Sequence, residues 1–311
     1  FKQKTAYEIG VRLVGSEMCI RDSMEDETGT IWAATRSGVC RYRADQWESV
    51  NAVEGLSTER INALYQSRDG HVWAATTSGL CRYDGSSFRT LDTEHGLVDD
   101  RITYLLPESN GGLWIGTVDS GVSYYKDGTM RSFTTADGLA DNRIWSIIED
   151  RQGRIWFATL GAGVSCYDGS WRTYGMADGL ASDSIISICE DQQGVMWFGS
   201  DGAGVSGFDG TDWCTFTETD GLASNRVKWI TEDQQGALWF GTAEGVSRKE
   251  GDDWVTYDEN NGLAANFVQS ILVDRRGCLL YTSDADDEGL GVDIGARPII
   301  KKKKGGGGGG G

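Results

Sequence analysis

The sequence predicts an all-β propeller of four-stranded blades, and three recurring features carry that prediction. Tryptophans stand at Trp32, Trp73, Trp114, Trp156, Trp197 and Trp239, 41 or 42 residues apart. Gly-Leu pairs keep the same step, at Gly55-Leu56, Gly96-Leu97, Gly138-Leu139, Gly179-Leu180, Gly221-Leu222 and Gly262-Leu263. Between these markers lie short runs of apolar and β-branched residues separated by turn signals. A period of about 40–45 residues with aromatic-rich short strands is the pattern of propeller blades. Six repeats are present, which fits either a closed six-blade ring or an arc of a larger propeller.

The stretch from Arg226 to Leu263 serves as a reference blade. Its first strand, A, runs Arg226-Val227-Lys228-Trp229-Ile230-Thr231-Glu232, and the turn Asp233-Gln234-Gln235-Gly236 follows. An Asp opening a turn bonds its own backbone two residues on, and a closing Gly accepts a positive φ. Strand B is Ala237–Thr242, strand C is Val246–Lys249, and strand D is Trp254–Tyr257. The C–D turn often reads Tyr-Asp-Gly, as at Tyr83-Asp84-Gly85 and Tyr167-Asp168-Gly169, a strong hairpin signal. The strand-B tryptophans are expected to wedge between neighbouring sheets, each burying about 150–250 Å². The outer aromatics Trp47, Phe88, Phe133, Trp171, Trp213 and Trp254 are assigned to packing in the same way.

Both ends of the chain lack the repeat. Phe1–Ile9, Arg12–Ser23, Cys278–Glu288 and Gly291–Ile300 resemble translated sequencing adaptor, and Lys301–Lys304 with Gly305–Gly311 resembles homopolymer read-through. Residues 1–23 and 278–311 are therefore expected to be adaptor-like artefact rather than native protein. Residues 24–277 are expected to be a β-propeller fragment cut inside a blade at each end. Its last piece, Phe267–Val273, reads as a strand A without a blade of its own.

The net charge is −18. Charge is nearly balanced in the two end segments, so the acidity belongs to residues 24–277. Such a surface repels nucleic acid and anionic membranes. Seven cysteines fall to five once Cys19 and Cys278 are set aside. The remaining Cys40, Cys81, Cys166, Cys189 and Cys214 form neither a disulfide framework nor a zinc pattern and read as small buried residues. The two histidines, His71 and His95, read as loop residues. Phosphate loops, nucleophile elbows and calcium loops are missing. Pairs such as Glu149-Asp150, Glu190-Asp191 and Glu232-Asp233 recur blade by blade and read as architecture, not as catalytic carboxylates. No catalytic residue, metal or cofactor is assigned.

Comparing the repeats with one another separates scaffold from surface. The opening position of strand A reads Arg60, Arg101, Arg143, Ser184, Arg226 and Phe267. Two positions on come Asn62, Thr103, Trp145, Ile186, Lys228 and Gln269, a set without common polarity. The arginines have two readings: they receive carboxylates or sulfates from a ligand, or they pair with local acids such as Glu59, Asp100 and Asp141. Trp145 either packs or stacks on a sugar ring or other flat ligand. Arg60, Arg101, Arg143, Trp145, Arg226 and Lys228 are the candidate ligand-binding residues. The D–A and B–C loops should emerge on their face, where variable loops on a fixed scaffold carry binding.

The run Ile148-Glu149-Asp150, Gly153, Ile155–Thr159, Gly163-Val164, Tyr167-Asp168-Gly169 and Asp178-Gly179-Leu180 resembles the two-component regulator propeller repeat, as does Glu232–Thr242. That resemblance implies a periplasmic or extracellular sensor module of a bacterial two-component system. It further implies an oligosaccharide ligand and downstream signalling domains outside this chain; a small anionic ligand is the expectation drawn from the arginines, and a dimer is expected of the full-length protein. A propeller enzyme (a lyase or glycoside hydrolase) and a protein-interaction platform are the alternatives.

Overall fold

The computed structural model describes residues 22–35, 38–44, 46–50, 56, 61–67, 70–263, 265–273 and 279–282. Cys19, Cys278, Glu59, Arg60 and most of both adaptor-like ends lie outside the described residues. The described chain is all-β, with six four-stranded sheets and one two-stranded sheet.

In every four-stranded sheet the strands lie side by side in chain order. Blade one is β1 (Asp22–Glu25), β2 (Ile31–Thr35), β3 (Gly38–Arg43) and β4 (Gln46–Val50). Blade two is β5 (Ile61–Gln66), β6 (Val72–Thr76), β7 (Gly79–Tyr83) and β8 (Phe88–Leu91). Blade three is β9 (Ile102–Pro107), β10 (Leu113–Thr117), β11 (Val122–Lys126) and β12 (Thr129–Phe133). Blade four is β13 (Ile144–Glu149), β14 (Ile155–Thr159), β15 (Val164–Tyr167) and β16 (Trp171–Tyr174). Blade five is β17 (Ile185–Glu190), β18 (Met196–Ser200), β19 (Val205–Phe208) and β20 (Trp213–Phe216). Blade six is β21 (Val227–Glu232), β22 (Leu238–Thr242), β23 (Gly245–Glu250) and β24 (Asp253–Tyr257). The chain divides into two compact units, residues 1–188 and 189–311, and the division falls inside β17.

Two strands reach into the segments set aside as adaptor-like. Strand β1 begins at Asp22, two residues inside the segment set aside as adaptor-like, and pairs Asp22 with Ala34. The trailing strand A is shorter than expected: β25 (Ser270–Val273) pairs with β26 (Leu279–Thr282), which lies wholly inside the other adaptor-like segment. Strand A also opens one residue later than the sequence suggests in blades three, four and six, leaving Arg101, Arg143 and Arg226 just before their strands.

Strand B is buried along its whole length in blades two to six. A strand covered on both faces reads as a continuous apolar run instead of an alternating one, and Ile155-Trp156-Phe157-Ala158-Thr159 is such a run. The six periodic tryptophans are all at most 6 % exposed. Within the first unit they pack across sheets: Trp32 meets Tyr83 at 5.2 Å, Trp73 meets Tyr125 at 5.3 Å, and Trp114 meets Phe157 at 5.2 Å. Within the second unit Trp197 faces Phe240 edge-on at 6.3 Å. The wedge assignment therefore holds for these four, while Trp156 and Trp239 stack on Tyr174 and Tyr257 of their own blades. Arginines lie over several of these rings, among them Arg154 over Trp156 at 5.3 Å and Arg248 over Trp239 at 5.6 Å.

After blades two to five the Gly-Leu marker closes a one-turn 3-10 helix in the D–A loop. At Thr135–Asp137, Thr134 and Asp137 cap each other, Gly138 takes φ 112°, and the Leu139 amide returns to the Thr134 carbonyl. The leucines then plug the core: Leu56, Leu97, Leu139, Leu180, Leu222 and Leu263 are all buried. Cys40, Cys81 and Cys166 are buried as expected. Cys189 is only half-buried and Cys214 is exposed, which corrects the reading of all five cysteines as buried. Cys214 sits on β20, the outermost strand of its sheet, where one face is left to solvent.

Candidate functional site on the loop face

The B–C loop of one blade bonds to the D–A loop that leads into the next. Gly121 N donates to Asn142 O, Gly163 N to Asp183 O, and, in the second unit, Gly204 N to Asn225 O, each at 2.8 Å. Both loop types therefore emerge at the same ends of the strands, with the start of strand A between them. The candidate residues sit at this junction.

Four of the innermost strands carry a β-bulge at the same place. Pairing with strand B skips Asn62 in β5, Thr103 in β9, Trp145 in β13 and Lys228 in β21. A bulge places two residues opposite one, breaks the alternation of side chains and re-aims the extra one. This explains why the position shows no common polarity in the sequence. Asn62 Nδ2 donates to Ile102 O at 2.7 Å, and Thr103 Oγ1 to Ile144 O at 3.0 Å, tying one innermost strand to the next. Trp145 makes no such tie and is 50 % exposed. Among the described residues its indole neither stacks on another ring nor finds a hydrogen-bond acceptor.

The arginines pair with acids, though not always the expected ones. Arg143 is held by Asp141, whose carboxylate accepts from the Arg143 amide and from Nη2, both at 2.8 Å. Asp99 treats Arg101 the same way, at 2.9 Å for both bonds, and Asp119 of the B–C loop also takes Nη2. The expected partner Asp100 is not the one used. These are Asp-x-Arg devices, and the sequence breaks them in blade six, where Ser224 stands two before Arg226. The Arg226 amide reaches Ser224 Oγ at 3.4 Å, and its guanidinium crosses instead to Asp201 at 3.0 Å. Lys228 Nζ shares the same Asp201 oxygen at 3.3 Å.

The acids are correspondingly acidic. The Arg143 hydrogen bond holds the Asp141 carboxyl below the usual carboxylate value, against a smaller opposing effect of burial. For Asp201 burial is the largest influence and opposes ionisation, but the bonds from Arg226 and Lys228 together prevail and its pKa is lowered. Of the two histidines, His95 bonds Asp92 through Nδ1 at 2.7 Å in a D–A loop. Among the described residues no group of histidine, cysteine and carboxylate side chains is placed to hold a metal ion.

Sequence reasoning missed Trp229. It follows the bulged Lys228, is 40 % exposed, and occupies the register taken by Ala63, Tyr104 and Ser146 in other blades. An internal comparison carried one position further would have shown it. Asp201 carries no local signal of its role, since its partners lie 25 and 27 residues away.

Six four-stranded sheets in chain order, wedged by buried indoles, define the β-propeller class. The particular repeat is that of the family described as "Two component regulator propeller", whose profile matches residues 55–78, 96–119, 138–161, 179–202 and 221–244. The chain carries five copies of that repeat. Among solved structures it is similar to the extracellular domain of a hybrid two component system, BT3049, from B. thetaiotaomicron, with 24% identity and a TM-score of 0.70. That match covers 86% of this chain and 38% of the other, so the chain spans well under half of that domain. A second such domain, BT4673 from the same organism, has 19% identity, a TM-score of 0.65, and coverage of 90% and 38%. Virginiamycin B lyase from Staphylococcus aureus has 15% identity, a TM-score of 0.65, and coverage of 87% and 94%. At these identities the likeness concerns the fold alone. No curated protein matches the chain in sequence. No helix among the described residues is long and apolar enough to cross a membrane.

Proposed function

We propose that this chain is the ligand-sensing propeller module of a bacterial two-component sensor, facing the periplasm or the cell exterior. It captures an oligosaccharide or another small extracellular ligand on the loop face and passes the bound state to signalling domains outside this chain. The regulator repeats support the sensor class. The observation that carries the ligand reading is Trp145, an indole left half exposed at a bulge, two residues after an arginine fixed by its own aspartate. The six periodic indoles are all buried, whereas this one stays open at the loop end, where its flat apolar face is available to a ligand. A sugar ring offers a flat apolar face to such an indole while its hydroxyls bond to nearby polar groups.

A ligand signals only by favouring one state of the receptor over another. The propeller reading needs no chemistry on the ligand. The test is a glycan array followed by calorimetric titration of the best-binding oligosaccharide into wild type and Trp145→Ala, with chromatography of the recovered sugar. Weakening by about tenfold on loss of the ring, with the sugar recovered intact, is the expected result. Equal affinity of the two proteins removes Trp145 from the site. A shortened or unsaturated sugar favours the lyase or hydrolase alternative.

A further inference from the structure

We propose that Arg226, Lys228 and Trp229 form a subsite for a ring bearing a carboxylate or sulfate group, so that the ligand is an acidic sugar. This rests on the ring-binding reading above and adds the charge of the ligand.

The argument is one of local charge balance. In blade three, Arg101 faces two carboxylates, Asp99 and Asp119. In blade four, Arg143 has Asp141 to itself. Those cations are matched or outnumbered. In blade six two cations, Arg226 and Lys228, share the single carboxylate of Asp201. The cause is visible in the chain: Ser224 replaces the aspartate that Asp-x-Arg provides in blades three and four. Glu244 stands where Asp119 stands in blade three, after the residue whose amide bonds the arginine carbonyl. Its own amide is tied to Thr242 Oγ1, and its carboxylate joins no ion pair with Arg226 or Lys228. One positive charge is left over at this spot on a protein whose net charge is −18. At physiological ionic strength exposed charges more than about 8 Å apart are largely screened from one another, so this local excess weighs more at the site than the distant acidity.

Geometry supplies the rest of the site. The Arg226 guanidinium is about half exposed, with a side-chain exposure of 56 %, and its Nε is the atom on Asp201. Its remaining N–H groups are free to make the paired bonds that suit carboxylate and sulfate oxygens. Lys228, at 22 % exposure, is drawn into the surface, where a charge–charge contact is less screened. Beside it the Trp229 ring is open, and among the described residues it stacks on no other ring. The bulge at Lys228 breaks the alternation that would send these two neighbours to opposite sides. An anion holder whose neighbour in sequence, across a bulge, is an open indole suits a pyranose ring carrying an acidic group.

The test uses the full chain and three probes of equal length: an oligogalacturonate, its methyl ester, and a sulfated galactan oligomer. Calorimetry on wild type should show the oligogalacturonate or the sulfated oligomer binding about tenfold or more tighter than the methyl ester, the change expected of one charge-assisted hydrogen bond. Which acidic probe binds tells the carboxylate source from the sulfate source. Lys228→Met should abolish that preference, Lys228→Arg should retain it, and Trp229→Ala should weaken all three probes that bind. Equal binding of acidic and neutral probes by wild type overturns the acidic subsite while leaving a sugar-binding propeller. An acidic preference unchanged in Lys228→Met, or binding of every probe unchanged in Trp229→Ala, overturns its placement. If wild type binds none of these probes, yet a neutral glycan binds and depends on Trp145, the subsite fails and the broader reading stands.

Discussion

The indole N–H of Trp156 donates to Oδ2 of Asp150 at 2.8 Å, across the A–B turn of its own blade. The other oxygen of Asp150 accepts the amides of Gln152 at 3.0 Å and Arg154 at 2.8 Å. One carboxylate thus shapes the turn and satisfies the buried wedge. The arrangement recurs at a constant spacing of six: Trp32 with Asp26, Trp197 with Asp191, and Trp239 with Asp233, at 2.7–2.8 Å. Blade two uses Ser67 for Trp73, and blade three uses Glu108 for Trp114. Burying an indole without a partner for its N–H would forfeit much of what the apolar ring contributes.

This pairing makes Asp150 a stability residue with a measurable coupling to Trp156. Asp150→Ala strips the turn, the indole and the Arg154 ion pair at 2.6 Å of their acceptor at once. A buried donor left unpaired costs about 1–3 kcal/mol, so the loss should exceed about 2 kcal/mol in urea denaturation. Trp156→Phe should cost less, since Asp150 keeps its other bonds. The double mutant should reveal a coupling of about 1 kcal/mol or more. Additive losses would mean that the hydrogen bond contributes nothing of its own.

Much of this was legible in the sequence, and the part that was not has a common cause. The period of the tryptophans and of Gly-Leu gave the blades, because both residue types answer to local needs: a wedge, a left-handed turn, a plug. Asp150 was legible only as a turn-former, because turn statistics describe its first oxygen and not its second. The bulges at Asn62, Thr103, Trp145 and Lys228 have no residue signature, since a bulge is a matter of register between two strands. The Arg226–Asp201 pair joins two loops 25 residues apart. Only the loss of an aspartate at Ser224 hints that Arg226 must look elsewhere.

Two glycines with nearly the same backbone angle should differ sharply in what they tolerate. Gly153 closes the A–B turn at φ 76° with nothing within 4 Å of a built Cβ. Gly163 has φ 82°, but a Cβ there would lie 2.1 Å from the Tyr174 carbonyl oxygen and 3.1 Å from the Gly175 Cα. Gly153→Ala should therefore cost only the left-handed conformation, about 1–2 kcal/mol. Gly163→Ala must also push strand β16 away from β15 and should cost about 3 kcal/mol or more. Both are read from urea midpoints at constant slope. Equal losses would show that the backbone contact yields without cost.

Acid stability should carry a signature of the C–D turns. The backbone amides of Ser87 and Ser86, joined by the Ser86 hydroxyl, hold the Asp84 carboxyl down at about 2, against an ordinary value of 3.8. The folded-state pKa is depressed, so between these values the unfolded chain binds more protons than the folded one and stability rises with pH. The contribution is complete above 3.8 and is lost as pH falls towards 2. Asp84→Asn keeps an acceptor oxygen for the turn but has no charge to titrate. Urea midpoints of wild type and Asp84→Asn should therefore differ in favour of wild type at about pH 6 and draw together between about pH 4 and pH 2. Asp141, held down by Arg143, should behave alike in Asp141→Asn. A gap between wild type and Asp84→Asn that stays constant through this window would place the stabilisation in the shape of the turn and not in the ionised carboxylate.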